Sequence, residues 1–338
     1  MNGRVRLAAF AGLSVAVLGG STAYALHERA DNEARERTPP SVPTAVPSAA
    51  ASGPFIAFRH TGVDQEYGVV ATVPLGDPSG ARAFTDVACD RVDATATTRS
   101  CLRTGRGVVT SYDAFELDDA WAETGSAPLP GLPSRTRLSD DGTLVATTAF
   151  VSGHSYLSHG FSTATEIRRV GGESLGNLEE FALEIDGRKA APRDRNLWGV
   201  TFADDDRTFY VTVSSRGRTY LARGDLETRT IETVAADVEC PSLSPDGTRV
   251  AFKQADRRGD GRRWTPAVLD LATGERTVLT GEERSVDDQL EWLDDDTVLY
   301  GVPRTDAAGV SDVWSLDVAP DAEPAVLIEQ AWSPSVVR

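Results

Sequence analysis

The sequence predicts an all-β protein, a six-bladed β-propeller preceded by one N-terminal transmembrane or signal helix. Three observations predict it: a worn motif that recurs along the chain, a strand, turn, strand grammar inside each copy, and one long uncharged stretch confined to the first 26 residues. Composition sets the background. The chain has 338 residues, 40% of them hydrophobic and 25% charged, which is the balance of a globular protein with a sizeable core. It holds 34 Lys plus Arg against 51 Asp plus Glu, a net charge of −17, and Lys189 and Lys253 are its lysines. A nucleic-acid surface needs clustered cations, so no nucleic-acid partner is expected.

From the N-terminus, residues 1–6 carry Arg4 and Arg6 and read as a cytoplasmic end. Residues 7–26, LAAFAGLSVAVLGGSTAYAL, are 20 uncharged residues that would span about 30 Å as a helix, the thickness of a bilayer core. An uncleaved anchor and a signal peptide cut after Ala23-Tyr24-Ala25 both fit this pattern. The expected location is therefore the cell membrane, single-pass with the propeller on the extracytoplasmic side, or secretion after cleavage. Residues 27–54 are charged and then Pro/Ala/Ser-rich, with five of the 18 prolines between Thr38 and Pro54, and read as an extended tether that does not pack. The propeller is expected over residues 55–338.

The repeats are clearest in PSLSPDGTRVAFK, Pro241 to Lys253, and in SRTRLSDDGTLVATT, Ser134 to Thr148, with worn copies at Val200 to Thr212 and Leu290 to Val302. Each runs from an apolar residue into Asp-rich turn chemistry and then a β-branched or aromatic run, a hairpin signal. A second hairpin follows, as in AVLDLATGERTVLTG with its turn at Thr273-Gly274, so each unit has four strands. Ile56, Cys101, Val145, Phe209, Val250 and Val298 take matching second-strand positions at spacings of 45, 44, 64, 41 and 48. Six such units make six WD40-like blades. The 64-residue interval points to an insertion around residues 150–167 in the third blade. FIAFRHT at Phe55 matches a second strand, leaving the C-terminal AWSPSVVR to supply the first blade's innermost strand and close the ring.

SPDGTRVAF resembles the blade signature of TolB-like six-bladed propellers, over residues 55–338. VECPSLSPDGTRVAFK, DRNLWGVTF and SVDDQLEWLDDD look like the actinobacterial TolB-like translocation proteins, a group largely without assigned function. TolB itself carries an α/β domain ahead of its propeller, whereas a membrane segment and tether stand there in this chain.

In a four-stranded meander, the first-to-second and third-to-fourth turns share one end of the ring. The Asp runs Asp140-Asp141, Asp204 to Asp206 and Asp294 to Asp296 fall there, and their recurrence at one repeat position marks turn chemistry ahead of calcium binding. The opposite end collects Arg193, Asp194, Arg195, Asn196, Trp198, Glu239, Asp287, Asp288, Gln289 and Trp332 around the mouth of the central channel. These residues either bind a ligand or partner or satisfy one another. His154 and His159 form no zinc spacing, and Gly153-His154-Ser155 lacks the second glycine of a nucleophile elbow. Asp256 and Asp260 sit among arginines, and the two Arg-Gly-Asp tripeptides, at 223–225 and 258–260, are expected by chance. The chain carries no HExxH, Walker or GxGxxG motif, so no cofactor and no metal are expected and no catalytic residues are assigned. Cys89 and Cys101 are a candidate cross-strand disulfide, with the hairpin turning near Thr95, and Cys240 reads as a small buried apolar residue.

The leading expectation is a membrane-tethered propeller that binds an envelope protein or ligand through the channel mouth, His154 included among its candidates. The alternatives are a propeller-type enzyme acting on glycans with Asp194, Glu239, Asp287 and Asp288 as its acids, and a small-molecule sensor using Trp198, Asn196 and Gln289.

Overall fold

Central blade strands of the type LVATTAF and VLYGV carry apolar residues on both faces, so each must be covered from two sides. Radial stacking of sheets provides that cover. In the computed structural model, Leu144 to Thr148 and Val298 to Val302 are buried without alternation, whereas the outer strand Thr230–Ala236 alternates. The structure describes residues 3–46, 53–107, 109–151, 162–256 and 263–338.

Six sheets form the ring. Blade one runs from its innermost strand Ala331–Val337 through Phe55–His60 and Val69–Pro74 to Arg82–Ala88. Blade two holds Arg91–Ala94, Arg99–Gly105, Ser111–Leu117 and Glu123–Pro128. Blade three holds Leu132–Leu138, Leu144–Val151, Ser162–Arg169 and Ser174–Asn177. Blade four starts at Asn196–Phe202, blade five at Glu239–Leu243 and blade six at Glu291–Trp292. All six matching positions lie on second strands. The C-terminal strand pairs antiparallel with Phe55–His60, Phe55 opposite Val337 and His60 opposite Ala331, so the chain ends close the ring in blade one.

Among the described residues, the 64-residue interval holds a 3-10 turn, Leu178–Glu180, and a hairpin, Ala182–Ile185 with Arg188–Ala190, between blades three and four, while most of the insertion expected around residues 150–167 falls outside the described residues. Ala182–Ile185 pairs parallel with Thr230–Ala236 and widens blade four to six strands. The hairpin stays because Leu178, Phe181 and Leu183 are buried against Leu197, Phe209 and Ile231. Residues 152–161, which hold His154 and His159, lie outside the described residues.

Part of the stretch read as tether is docked. One helix, Gly3–Arg35, ends with the Arg35 guanidinium 5.1 Å from the Tyr67 ring. The Gln65 N–H donates to Thr38 O, Gln330 Nε2 donates to the Ser41 hydroxyl, and Thr44–Ala45 pairs parallel with Arg82 and Ala83. Proline favours the extended backbone that such edge pairing needs, and the Pro43 carbonyl accepts the Arg82 N–H, so this segment is held to blade one at Thr38, Ser41, Pro43 and Thr44–Ala45. Among the described residues, no helix is long and apolar enough to cross a membrane.

Five apolar clusters bind neighbouring blades. They join one to two through Phe55 and Cys101, three to four through Leu144 and Phe209, four to five through Leu221 and Phe252, five to six through Val268 and Tyr300, and six to one through Leu299 and Phe58. Among the described residues none spans the interface of blades two and three, where the Ser100 and Thr136 hydroxyls meet at 2.6 Å and the Asp93 carboxylate accepts the Leu138 N–H at 2.6 Å. Cys89 and Cys101 are disulfide-bonded with Cα atoms 5.5 Å apart. The turn after Arg91–Ala94 closes with Thr95 N donating to Thr98 O, so Cys89 sits just ahead of the strand pair and not within it. Cys240 is a buried free thiol.

Candidate functional site

Inner strands line the channel, so charged residues alternating along them must meet at its axis. Two tiers result. At the mouth, Arg91 Nη1 lies 2.9 Å from Asp288 Oδ1, with Arg135 Nη2 4.0 Å from the same oxygen, and the Gly301 N–H donates to Asp288 Oδ2. Deeper, Arg137 bonds Glu291 and stands 3.6 Å from Asp93. The Ser335 hydroxyl donates to Asp93, and the Val336 N–H donates to Glu291. Burial lowers the Arg91 pKa to about 10, and the neighbouring Arg135 guanidinium adds to that. Burial pushes the Asp93 carboxyl up to about 6 against the pull of Arg137. Burial also opposes the Arg137 charge, but Glu291 and Asp93 outweigh it and raise that pKa. The cavity between the tiers has a volume of only about 20 Å³, lined by Arg91, Arg135, Arg137, Asp93, Asp288 and Gln289.

Residues expected at the mouth have separate jobs. Asp288 is only 2% exposed and serves as the arginine anchor, whereas Asp287 has a side chain 65% exposed and accepts from Lys253 Nζ at 2.6 Å. Gln289 donates to Val200 O and Pro241 O, tying the inner strands of blades four and five. Glu239 is buried and accepts from Trp264 Nε1, over whose ring Lys253 stands at 4.9 Å. Trp332 packs beside Arg91 at 5.1 Å and close over Gly301, where a Cβ would come within 2.3 Å of the indole. Asp194 lies off the axis and accepts from the Ser215 hydroxyl and the Arg216 N–H, capping a blade-four hairpin whose Arg216 has φ 52°. Asn196 accepts from the Thr163 N–H and hydroxyl and pins blade three to blade four. Trp198 is buried, and Arg193 is exposed. His154 lies outside the described residues, as do Asp260 and the 258–260 tripeptide.

Sequence reasoning missed Arg91, Asp93, Arg135, Arg137 and Glu291. For the first four the signal was present as Arg-Val-Asp and Arg-Thr-Arg at period two on innermost strands, a spacing that sends both charges to one face.

The Asp runs hold turns. Asp205 accepts from the Thr208 N–H and hydroxyl, Asp141 from the Thr143 N–H, and Asp294 from the Asp296 N–H. Asp246 does the same, held below the ordinary carboxylate range by the Ser244 hydroxyl and the Thr248 N–H.

No family model and no curated protein matches the sequence. Solved structures do match by fold. TolB from Acinetobacter baumannii is 13% identical with a TM-score of 0.59, covering 86% of this chain and 68% of its own. A chain of a nidogen/laminin complex is 12% identical with a TM-score of 0.51, covering 84% and 98%. A putative TolB from Agrobacterium tumefaciens is 11% identical with a TM-score of 0.46, covering 81% and 87%. With six blades each built on a four-stranded meander, closure in blade one and this likeness to TolB, the chain has the fold of the TolB-like six-bladed β-propellers.

Proposed function

We propose that this chain is a membrane-tethered extracytoplasmic propeller that binds another protein of the cell envelope through its channel-mouth face. The filled channel carries the reading. The cavity between the two tiers of ion pairs holds only about 20 Å³, too little for an organic ligand there, and recognition is assigned to the rim, a surface of the kind proteins read. A fold neighbour occurs in a protein complex, that of nidogen with laminin.

The tethering part rests on residues 7–26, whose Leu13, Val17, Leu18 and Leu26 are exposed along a helix that the propeller leaves uncovered. The helix ends at Arg35 beside Tyr67, in the loop between the second and third strands of blade one, on the mouth side of the ring. In this reading the mouth looks towards the bilayer and its partner is membrane-proximal.

The test is crosslinking in intact cells followed by capture of tagged full-length protein, comparing wild type with an Arg193→Glu/Asp287→Asn variant. Both positions are exposed, and asparagine keeps an acceptor for Lys253. A partner lost from the variant at unchanged thermal stability supports the reading. Capture of the same proteins in equal amount refutes it.

A further inference from the structure

Among the described residues, the blade two to blade three seam is the interface that no apolar cluster spans, and it holds a cleft of about 190 Å³. Its origin lies in side-chain size. Side chains alternate along a strand, and Cys101 and Phe115 pack towards blade one, so Ala114 and Glu116 turn towards blade three. Gly125 pairs with Glu116, and Ala127 pairs with Ala114. Alanine and glycine thus stand on the third and fourth strands where the other blade pairs place Val70, Ile167, Leu221, Val268 and Val313, and beyond the buried Leu102 of the second strand the facing sheets are left apart.

Two opposite charges line the cleft, one on each wall. From blade two, the Glu116 carboxylate is steadied by the Gly171 N–H, which donates to its Oε2 at 2.6 Å. A Cβ at Gly125 would come within 3.4 Å of that oxygen, so the glycine keeps the carboxylate open. From blade three, Arg168 forms an ion pair with Glu166 at 3.3 Å and donates to Gly172 O at 3.3 Å, two contacts that leave the other N–H groups of the guanidinium for a ligand. Thr147 adds a buried hydroxyl to the lining.

We infer that this cleft is a binding site for a small zwitterion of the size of an α-amino acid, with Glu116 receiving the ammonium group and Arg168 the carboxylate. Charge-assisted hydrogen bonds of opposite sign on opposite walls select a ligand bearing both charges. Phe115 is among the lining residues, but its ring lies under Arg103 at 4.5 Å and packs with the cluster that faces blade one. This site is separate from the channel mouth and does not depend on the role proposed there.

The experiment is calorimetric titration and thermal shift of the full-length protein with each of the twenty amino acids, starting from L-serine. Ethanolamine and 3-hydroxypropionate, which each carry one of its charges, are the controls. Saturable binding of a zwitterion is expected, weakened tenfold or more in Glu116→Gln and in Arg168→Gln and unmatched by either control. Ala127→Leu, which fills the cleft with three added carbons, is expected to abolish binding without lowering the melting temperature. Should that variant misfold, the two charge variants decide. The inference is overturned if no amino acid binds wild type, if a control binds as tightly as the zwitterion, or if the charge variants bind like wild type.

Discussion

Arg137 is the charge on which the channel depends most, and Arg137→Met removes it at nearly constant volume. Its guanidinium bonds Glu291 and stands 3.6 Å from Asp93. Without it two buried carboxylates share the channel with no cation between them. Breaking a buried ion pair by removing one partner costs about 3 to 5 kcal/mol, a fall of about 6 to 20 °C in melting temperature at roughly 2 to 4 °C per kcal/mol. The loss is pH-dependent, and its sign follows from Asp93. A carboxyl whose folded pKa lies above its unfolded value binds protons more tightly when folded, so acidification through about 6 favours the folded state. In the variant the Asp93 proton is held still more tightly. Its deficit is therefore largest at about pH 7.5 and shrinks at about pH 5, where one carboxyl is neutral. Urea unfolding of both proteins at the two pH values measures this directly. Adding Glu291→Gln to the variant is expected to restore part of the loss, since the amide still accepts the Val336 N–H. A deficit below about 1 kcal/mol at neutral pH, or one equal at both pH values, would refute the argument that these three charges sustain one another.

Replacing Cys89 and Cys101 by serine releases a loop of sequence separation 12 and is expected to cost about 3 kcal/mol by chain entropy; an unchanged urea midpoint would contradict this. Deleting residues 331–338 removes the innermost strand of blade one and is expected to abolish the cooperative unfolding transition of the ring; a transition of undiminished slope would show that closure is dispensable. Burial lowers the His60 pKa against the pull of its partner Asp64, so its contribution to stability is present above about 6.5 and fades as the pH falls below that value. His60→Asn is expected to flatten that part of the stability profile, and a profile identical to wild type would exclude His60 as its source.

The mouth acids show why a candidate site was only half legible. Asp287 and Asp288 are neighbours with one side chain type, yet Asp288 is buried under Arg91 and Asp287 is open to solvent. Nothing local separates them. The difference comes from Arg91, 197 residues away along the chain, whose strand starts blade two. Asp194 read as a mouth residue because it lies in a between-blade loop, but the left-handed turn at Arg216 draws its carboxylate off the axis. The hairpin between blades three and four went unforeseen for a related reason: an interval shows how many residues are surplus, not which of them find apolar partners.

By itself the sequence determined the architecture. Motif copies at a near-constant interval place strands and turns locally, Asp, Gly and Thr make each turn with neighbours a few residues away, and an unpaired first blade demands the last strand as its partner. Those are short-range or counting properties, readable without coordinates. Only the tertiary structure decided what the architecture carries: that two tiers of ion pairs cross the channel, that residues 38–45 lie along blade one, and that one blade seam holds a cleft with a carboxylate and a guanidinium in its lining. Each depends on side chains brought together from distant blades, and burial, charge pairing and leftover volume are sums over such neighbours that no window of sequence contains.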